Sequence, residues 1–383
     1  MLREGTIMST REVFEFEHLD KFIAGKITRF ETALLLQVHE RTVSRLAREI
    51  RDKGLLGIKH GNFQKRPKNK TADELKARVC SLLRNVYFDL NITHAKELLK
   101  KRHRIKVSYT TLRRWCHEIH LVKRKHYRVK KKTRKLRPRS QRAGFLLQMD
   151  GSPHMYNRHE EWTLIAAIDD ATNEIPYGEF FKTENLFNCM SVLEGVIKAK
   201  GIPWAVYVDR AGWLGGRVQA EFGDFVRACN DLGIEVIHAN SPQAKGRIER
   251  WWQVPQDRLQ AELRLNGITG LSGANRYLQN NFLKQYWNKE KTLEPRDPVP
   301  HWKPLNPRLE LNEIFTQREY RKINNDHTFQ WRTEKFQILN PPGSIAGIEV
   351  EIRNYRTGNP KIFVGGRELM AELVLAEIKR IAS

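Results

Sequence analysis

The sequence predicts a multidomain protein in which all-α helix-turn-helix units precede an α/β domain with a mixed sheet, and short strands follow. Three observations predict this order. Apolar residues recur at helical spacing as far as His120, and at strand spacing after Arg142. A block of Lys and Arg separates the two regions. With 383 residues, the chain is long enough for several domains.

The charge balance indicates a polyanionic partner. Lys and Arg number 68 against 44 Asp and Glu, a formal net charge of +24. Such an excess favours nucleic acid over an acidic protein surface, because phosphates attract a dense array of cations. We therefore expect double-stranded DNA as the partner.

The chain carries neither a bilayer-spanning apolar run nor the apolar segment of a secretory signal, so we expect no membrane and a cytoplasmic location. Its cysteines stand singly, without C-x-x-C spacing, which favours reduced core residues over zinc ligands. They are Cys80, Cys116, Cys189 and Cys229.

Residues 1–66 are predicted to form a helix-turn-helix DNA-binding domain. Thr28 and Glu31 fit a capping box that opens one helix. A second helix has an apolar face and is placed to end at Gly54. A small bundle with a solvated charged face is the alternative. The candidate DNA-binding residues on the outer face are Arg41, Arg45 and Arg48.

Residues 67–121 are predicted to form a second helix-turn-helix DNA-binding domain. Ser108 is placed to cap a helix that buries Leu112, Trp115 and Ile119 on one stripe. That stripe leaves Arg113 and Arg114 facing outwards, as further candidates for DNA contact.

Residues 122–142 form a basic linker with twelve Lys or Arg and no acid. Like charges prevent such a block from folding alone, but phosphates release counterions when it binds them. A solvated linker without a partner is the alternative. The candidate DNA-binding residues here are Lys130, Lys131, Lys132 and Arg134.

Residues 143–294 alternate between strand and helix patterns, which predicts an α/β layer. Helices are expected at about Glu184–Lys200, at Val218–Leu232 and from Gln243 onwards. The predicted strands are Phe145–Asp150, Thr163–Asp170, Tyr177–Phe181, Trp204–Asp209 and Ile234–Ala239.

Three acids of this domain are candidates for one site. Asp150 and Asp209 end predicted strands, and Glu249 lies near the start of the last helix. Carboxylates that converge at a sheet edge need a cation, and Mg²⁺ prefers oxygen ligands. Taken singly, each has another interpretation: the aspartates as turn formers, and Glu249 as a partner of Lys245. Asp169 and Asp170 are interpreted as turn residues.

At these residues the chain resembles bacterial insertion-sequence transposases of the DDE, retroviral integrase-like superfamily, and most of all the ISNCY-type group. With the two helical units, the resemblance covers nearly the whole chain. It is carried by QMDGSPH (148–154), IDDAT (168–172), VYVDRAGW (206–213), SPQAKGRIER (241–250) and QDRL (256–259).

The resemblance implies an RNase H-like catalytic fold, with Asp150, Asp209 and Glu249 as catalytic residues and metal ligands. It also implies two Mg²⁺ ions, with Mn²⁺ as a substitute. The implied reaction is Mg²⁺-dependent cleavage at transposon ends, followed by attack of the freed 3′-OH on target DNA. The implied partners are double-stranded DNA, as terminal inverted repeats and as target, and further copies of the chain at the nucleoid. Lys245, Arg247 and Arg250 are expected to hold the DNA backbone beside the acids.

Two positions depart from the family pattern. Ala211 stands where many relatives have His, and Pro255 lies inside the helix that carries Glu249, which predicts a kink or an early end. Residues 295–383 have strand character and resemble the small C-terminal β-barrel of related transposases. The alternative functions are a catalytically inactive DNA-binding regulator and an RNase H-like metal-dependent nuclease.

Overall fold

The computed structural model describes residues 8–60, 62–63, 70–121, 138–208, 223–238 and 246–374. The chain forms two compact units, Met1–Ala77 and Arg78–Ser383. No helix within these described ranges is long and apolar enough to cross a membrane.

Helices build the first unit. The capping box is confirmed, because Thr28 N–H donates to Glu31 Oε2 at 2.7 Å and Glu31 N–H donates to Thr28 Oγ1 at 3.2 Å. Gly54, with φ of 60°, ends the third helix as expected. That helix buries its apolar face and exposes Arg41, Arg45 and Arg48. The elements are α1 (Thr10–Ile23), α2 (Arg29–Leu36), α3 (Glu40–Lys53) and a 3₁₀ turn (Gly54–Ile58).

Three more helices precede the basic linker: α4 (Asp73–Asn85), α5 (Ile92–His103) and α6 (Tyr109–Glu118). Ser108 caps α6 as predicted, since its Oγ accepts from Thr111 N–H at 3.1 Å. The helix buries Leu112 and Trp115, while Arg113 and Arg114 are exposed.

A five-stranded mixed sheet organises the second unit. Its strand order is β3-β2-β1-β4-β5. β4 pairs parallel with β1 and β5 pairs parallel with β4, whereas β2 pairs antiparallel with β1 and β3 pairs antiparallel with β2. The strands are β1 (Leu146–His154), β2 (Trp162–Asp169), β3 (Tyr177–Phe181), β4 (Ala205–Val208) and β5 (Glu235–His238).

Both faces of this sheet are covered. Every residue of β2 is buried, and its side chains alternate between two apolar cores. Ile165 packs in the core that includes residues of α7 and α8, and Leu164 packs in the core that includes residues of α9. The helices are α7 (Leu186–Lys200), α8 (Asp224–Asp231), α9 (Gly246–Leu265) and α10 (Leu271–Tyr277).

The prediction that the first strand ends at Asp150 was wrong, because β1 continues to His154. Its antiparallel pairing with β2 extends to the pair His154 and Trp162. Its parallel pairing with β4 covers only Leu146 to Gln148. Asp150 therefore lies inside a strand, just beyond the residues that pair with β4.

The last part of the chain forms a barrel-like antiparallel sheet of six strands, in the order β6-β9-β10-β11-β8-β7. The sequences of β6 and β11 are largely polar and lack a clear apolar alternation. Between the sheets lie a π-helical segment (Leu278–Trp287), α11 (Asn288–Glu290) and α12 (Leu311–Ile314). The strands are β6 (Gln317–Lys322), β7 (Thr328–Trp331), β8 (Glu334–Leu339), β9 (Glu349–Asn354), β10 (Lys361–Val364) and β11 (Arg367–Leu373).

Candidate active site

Asp150 is half-buried on β1 and faces helix α9. Its Oδ2 accepts a hydrogen bond from the indole Nε1–H of Trp252 at 3.1 Å. The indole itself is buried, with 6% of Trp252 exposed. Because packing fixes the indole ring of Trp252, its N–H group holds the Asp150 carboxylate in one orientation.

Two further hydrogen bonds flank this one and tie β1 to α9. The amide of Ile248 donates to Gln148 Oε1 at 3.3 Å, and Gln256 Nε2 donates to Ser152 Oγ at 2.8 Å. The strand partners are two residues apart and the helix partners are four apart. Two residues of a strand span about 6.8 Å and four residues of a helix span about 6.0 Å. Because these spacings are similar, every second residue of β1 can contact every fourth residue of α9 over three successive contacts.

Glu249 lies in the first turn of α9 and is exposed. It precedes Trp252 by three residues, and such residues are neighbours on a helix surface. The contact between Trp252 and Asp150 therefore brings the start of α9, and Glu249 with it, to the half of β1 that carries Asp150. Residues separated by 99 positions are thus brought to one region by packing.

A buried aspartate holds the start of this helix. Asp170 Oδ1 lies 2.6 Å from Arg247 Nη1 and accepts from Gln148 Nε2 at 2.7 Å. Its Oδ2 accepts from the Ser140 amide at 2.8 Å. Asp170 is 0% exposed and links the segment before β1, the strand β1 and the helix α9. Asp170 lies in the turn that follows β2, as predicted, and its carboxylate also makes these long-range contacts, which the sequence did not predict.

Its neighbour Asp169 does act in the turn. Asp169 Oδ1 accepts from the amides of Ala171 and Thr172, each at 2.9 Å, and Oδ2 accepts from the amide of Gly144 at 2.7 Å. Burial raises the pKa of this carboxyl, although these hydrogen bonds oppose the rise. For Asp169 the turn interpretation is confirmed.

The second half of α9 is anchored to α5. Glu262 Oε1 lies 3.0 Å from Nε2 of the fully buried His94, and Glu97 Oε2 lies 2.6 Å from Arg258 Nη2. Burial raises the pKa of the Glu262 carboxyl, but the contact with His94 and the charge of Arg258 outweigh it and bring the pKa below its ordinary value. This helix keeps its full length to Leu265 with the buried Pro255 inside it, so the predicted early end does not occur.

Several predicted residues lie outside the described part of the chain: Asp209, Lys245, Lys130, Lys131, Lys132 and Arg134. Within the described part, no group of three or more His, Cys, Asp and Glu is arranged to hold a metal ion. Asp150 and Glu249 nevertheless supply hard carboxylate oxygens on two elements joined by hydrogen bonds. That donor chemistry fits Mg²⁺.

The cations predicted beside the acids differ in their surroundings. Arg250 is exposed. The Arg247 side chain is only 13% exposed and is directed towards Asp170, so it is already engaged inside the protein. Arg113 is exposed on α6, and Arg114 pairs with Glu118 at 3.8 Å.

Sequence reasoning missed the residues that hold the site together. Gln148 and Ser152 flank Asp150 at strand spacing, and Ile248 and Gln256 flank Trp252 at helical spacing. Polar residues at such spacing on one strand were the available signal. The sequence alone does not show that β1 packs against α9, so it could not identify the hydrogen-bond partners of these polar residues.

Two known transposases are similar to this chain in sequence. The chain is 32% identical over 343 residues to a putative transposase, y4bF, of Sinorhizobium fredii, covering 86% of this chain and 73% of the relative. It is 31% identical over 350 residues to the transposase for insertion sequence IS1202 of Streptococcus pneumoniae, covering 80% and 74%. The chain belongs to the transposase family. No protein-family model matches this transposase.

Solved structures resemble the transposase only loosely. A simian T-cell lymphotropic virus intasome in complex with PP2A regulatory subunit B56 gamma gives a TM-score of 0.35 at 14% identity, covering 78% of the transposase and 99% of that chain. The HTLV-2 integrase catalytic core domain in complex with magnesium gives a TM-score of 0.29 at 17% identity, covering 37% of the transposase and 88% of that chain. The family assignment rests on the two transposases.

Proposed function

We propose that this transposase cuts DNA at transposon ends and joins the cut ends to target DNA, in a Mg²⁺-dependent reaction that uses Asp150, Asp209 and Glu249. One observation carries the proposal: three hydrogen bonds in step along β1 and α9 bring Glu249 to the part of the strand that holds Asp150. Asp209 follows the last residue of β4, the strand next to β1. The two transposase relatives support the same activity.

The residues of the chain have distinct parts in this proposal. Mg²⁺ held by the three carboxylates would supply activation of the hydroxyl nucleophile and stabilisation of the leaving oxygen, with Mn²⁺ as a substitute. Trp252 fixes the rotamer of Asp150 through its indole N–H. Asp170, through Arg247, fixes the position of the helix start. Glu249 is exposed, so a DNA strand can reach it.

We further propose that residues 1–66 and 67–121 bind the ends, that residues 143–294 perform the chemistry, and that the chain works as a homo-oligomer on DNA at the bacterial nucleoid. The exposed arginines of α3 and α6 support DNA contact by the helical units. Since each phosphate contact releases counterions, end binding should weaken steeply with salt. The proposed contacts are Arg41, Arg45, Arg48, Arg113, Arg114, Lys130, Lys131, Lys132, Arg134, Lys245 and Arg250. Arg247, which the sequence also suggested, is engaged by Asp170 inside the protein instead.

The proposal is tested by measuring cleavage of labelled DNA that carries the end sequences flanking the gene of this transposase. We expect cutting only with Mg²⁺ or Mn²⁺, and loss of cutting with retained binding in Asp150→Asn, Asp209→Asn and Glu249→Gln. The exposed Glu310 provides the matched control, as Glu310→Gln should cut normally. Cleavage that survives in one triad variant would remove that residue from the site.

Strand transfer needs a separate assay with pre-cut ends and a target plasmid. Joined product that depends on the same three acids supports a transposase. Cutting without joining would indicate a metal-dependent nuclease, and binding without cutting would indicate a regulator.

A further inference from the structure

A groove of about 750 Å³ lies between α6 and α9, beside the start of the helix that carries Glu249. Residues four apart on α6 line one wall, and residues three or four apart on α9 line the other. The α6–α9 groove is defined here by Tyr109, Arg113 and His117 from α6 and Arg250, Gln253 and Asp257 from α9.

The groove has an excess of positive charge. Arg113, Arg250 and Lys291 line it and are exposed, and none of them forms an ion pair with another described residue. One of its two acids, Glu97, is already paired with Arg258 at 2.6 Å. Cations left without carboxylate partners on a concave surface favour a polyanion.

The dimensions suit a single nucleic-acid strand. Its volume falls in the range of about 300–1,000 Å³ that encloses a ligand of drug size, which excludes a duplex but admits a few nucleotides. From Arg250 to Asp257 the α9 wall extends for seven residues, about 10 Å. Phosphates of one duplex strand are about 3.4 Å apart along the helix axis, and those of an extended single strand are farther apart, so this wall spans at most about three phosphates.

Aromatic rings accompany the cations. Tyr109 is 43% exposed at the α6 wall. Tyr286 also lines the groove, but the guanidinium of Arg258 already covers its ring, 4.0 Å from the centroid, so Tyr109 is the ring that is open to a base. Bases stack on aromatic rings without sequence preference, and cations follow the backbone, so the two together are typical of single-strand binding.

We propose that the α6–α9 groove binds a short single-stranded stretch of DNA and leads it along α9 towards Glu249 of the same chain. This inference rests on the proposed function, because it names the form of DNA that enters the site. Duplex DNA held by Arg114, which is exposed on α6 outside the groove, would then deliver its unpaired terminal nucleotides to the carboxylates.

The test measures binding without metal, so it is independent of cleavage. Full-length protein is titrated with a labelled duplex that is either blunt or carries a four-nucleotide single-stranded tail, and the ratio of the two affinities is recorded. We expect wild type to prefer the tailed duplex by about tenfold, the gain from stacking about one base. Arg113→Glu, Lys291→Glu and Tyr109→Ala should lose this preference.

Lys289→Glu is the matched control, since Lys289 is exposed, lies two residues from Lys291 and does not line the groove. Lys289→Glu makes the same charge change as Lys291→Glu, but this variant should keep the preference for the tailed duplex. Circular dichroism checks that each variant is folded. The proposal that the groove binds a single strand would be contradicted by any of three results: equal binding of both duplexes by wild type, an unchanged preference for the tailed duplex in the groove variants, or loss of this preference in the Lys289 control. Failure of the proposed function is a different result, the absence of metal-dependent cutting.

Discussion

The indole Nε1–H of Trp252 donates a hydrogen bond to Oδ2 of Asp150 at 3.1 Å, and this contact joins β1 to the helix that carries Glu249. It lies between two other contacts of the same strand and helix, at 3.3 Å and 2.8 Å. Asp150 and Glu249 thus lie on two elements that are joined by three hydrogen bonds.

Trp252→Phe removes the donor to Asp150 and keeps most of the packing. We expect the cleavage rate to fall about tenfold, the effect of losing about 1.4 kcal/mol of orientation, while DNA binding is unchanged. Single-turnover cleavage across a range of Mg²⁺ concentrations measures the effect. Trp251→Phe is the control, because Nε1 of Trp251 is buried with no hydrogen-bond partner among the described residues. Equal rates in the two variants would show that the indole N–H does not matter.

Asp170→Asn removes the negative charge that faces Arg247. Breaking a buried pair by neutralising one partner costs about 3 kcal/mol, and here it also releases the start of α9. We expect lower stability in urea and slower cleavage by the folded fraction. Glu368→Gln neutralises an exposed pair, with Lys361 at 3.2 Å, and should cost less than about 1 kcal/mol. An Asp170 variant as stable and active as this control would contradict the positioning role.

Glu262→Gln tests the anchor between α5 and α9. The pKa of Glu262 is lowered in the folded protein relative to about 4.3 for an unfolded Glu, so its ionised form adds stability above that pH. This stability is lost as the pH falls through the folded-state pKa. We expect the variant to be less stable near neutral pH and to lose less stability on acidification than wild type. Urea midpoints between pH 7 and pH 3 measure this, with Glu310→Gln as the exposed control; parallel curves for all three proteins would exclude the anchor.

Pro255→Ala restores a backbone donor inside α9. The helix continues through Pro255 without its N–H, so an Ala at this position can donate to the carbonyl of Trp251. Removing Pro also raises the conformational entropy of the unfolded chain, which lowers stability. We expect a net gain in the free energy of unfolding of about 1 kcal/mol. Pro307→Ala in an exposed loop should have the opposite sign, since only the unfolded-state term operates there. Thermal unfolding compares the two, and a loss of stability in Pro255→Ala would show that the ring's packing outweighs the hydrogen bond.

Local patterns in the sequence predicted much of the fold. The capping box at Thr28 and Glu31, the cap at Ser108 and the helix end at Gly54 all depend on neighbours within a few residues. The five strands of the mixed sheet were expected from short apolar runs, and their bounds differ mainly where β1 continues past Asp150. That extension depends on pairing with β2, which no local pattern contains.

By itself, the sequence determined the cationic character of the chain, the order of its helical and strand regions, and Asp150, Asp209 and Glu249 as candidate acids. Only the tertiary structure decided what supports them. It shows Asp170 as a buried link to Arg247, Trp252 as the donor to Asp150, and α9 continuing through Pro255. The physical reason is distance along the chain: charges and local periodicity belong to neighbouring residues, whereas a hydrogen bond between residues 102 positions apart exists only after the helix has packed on the strand.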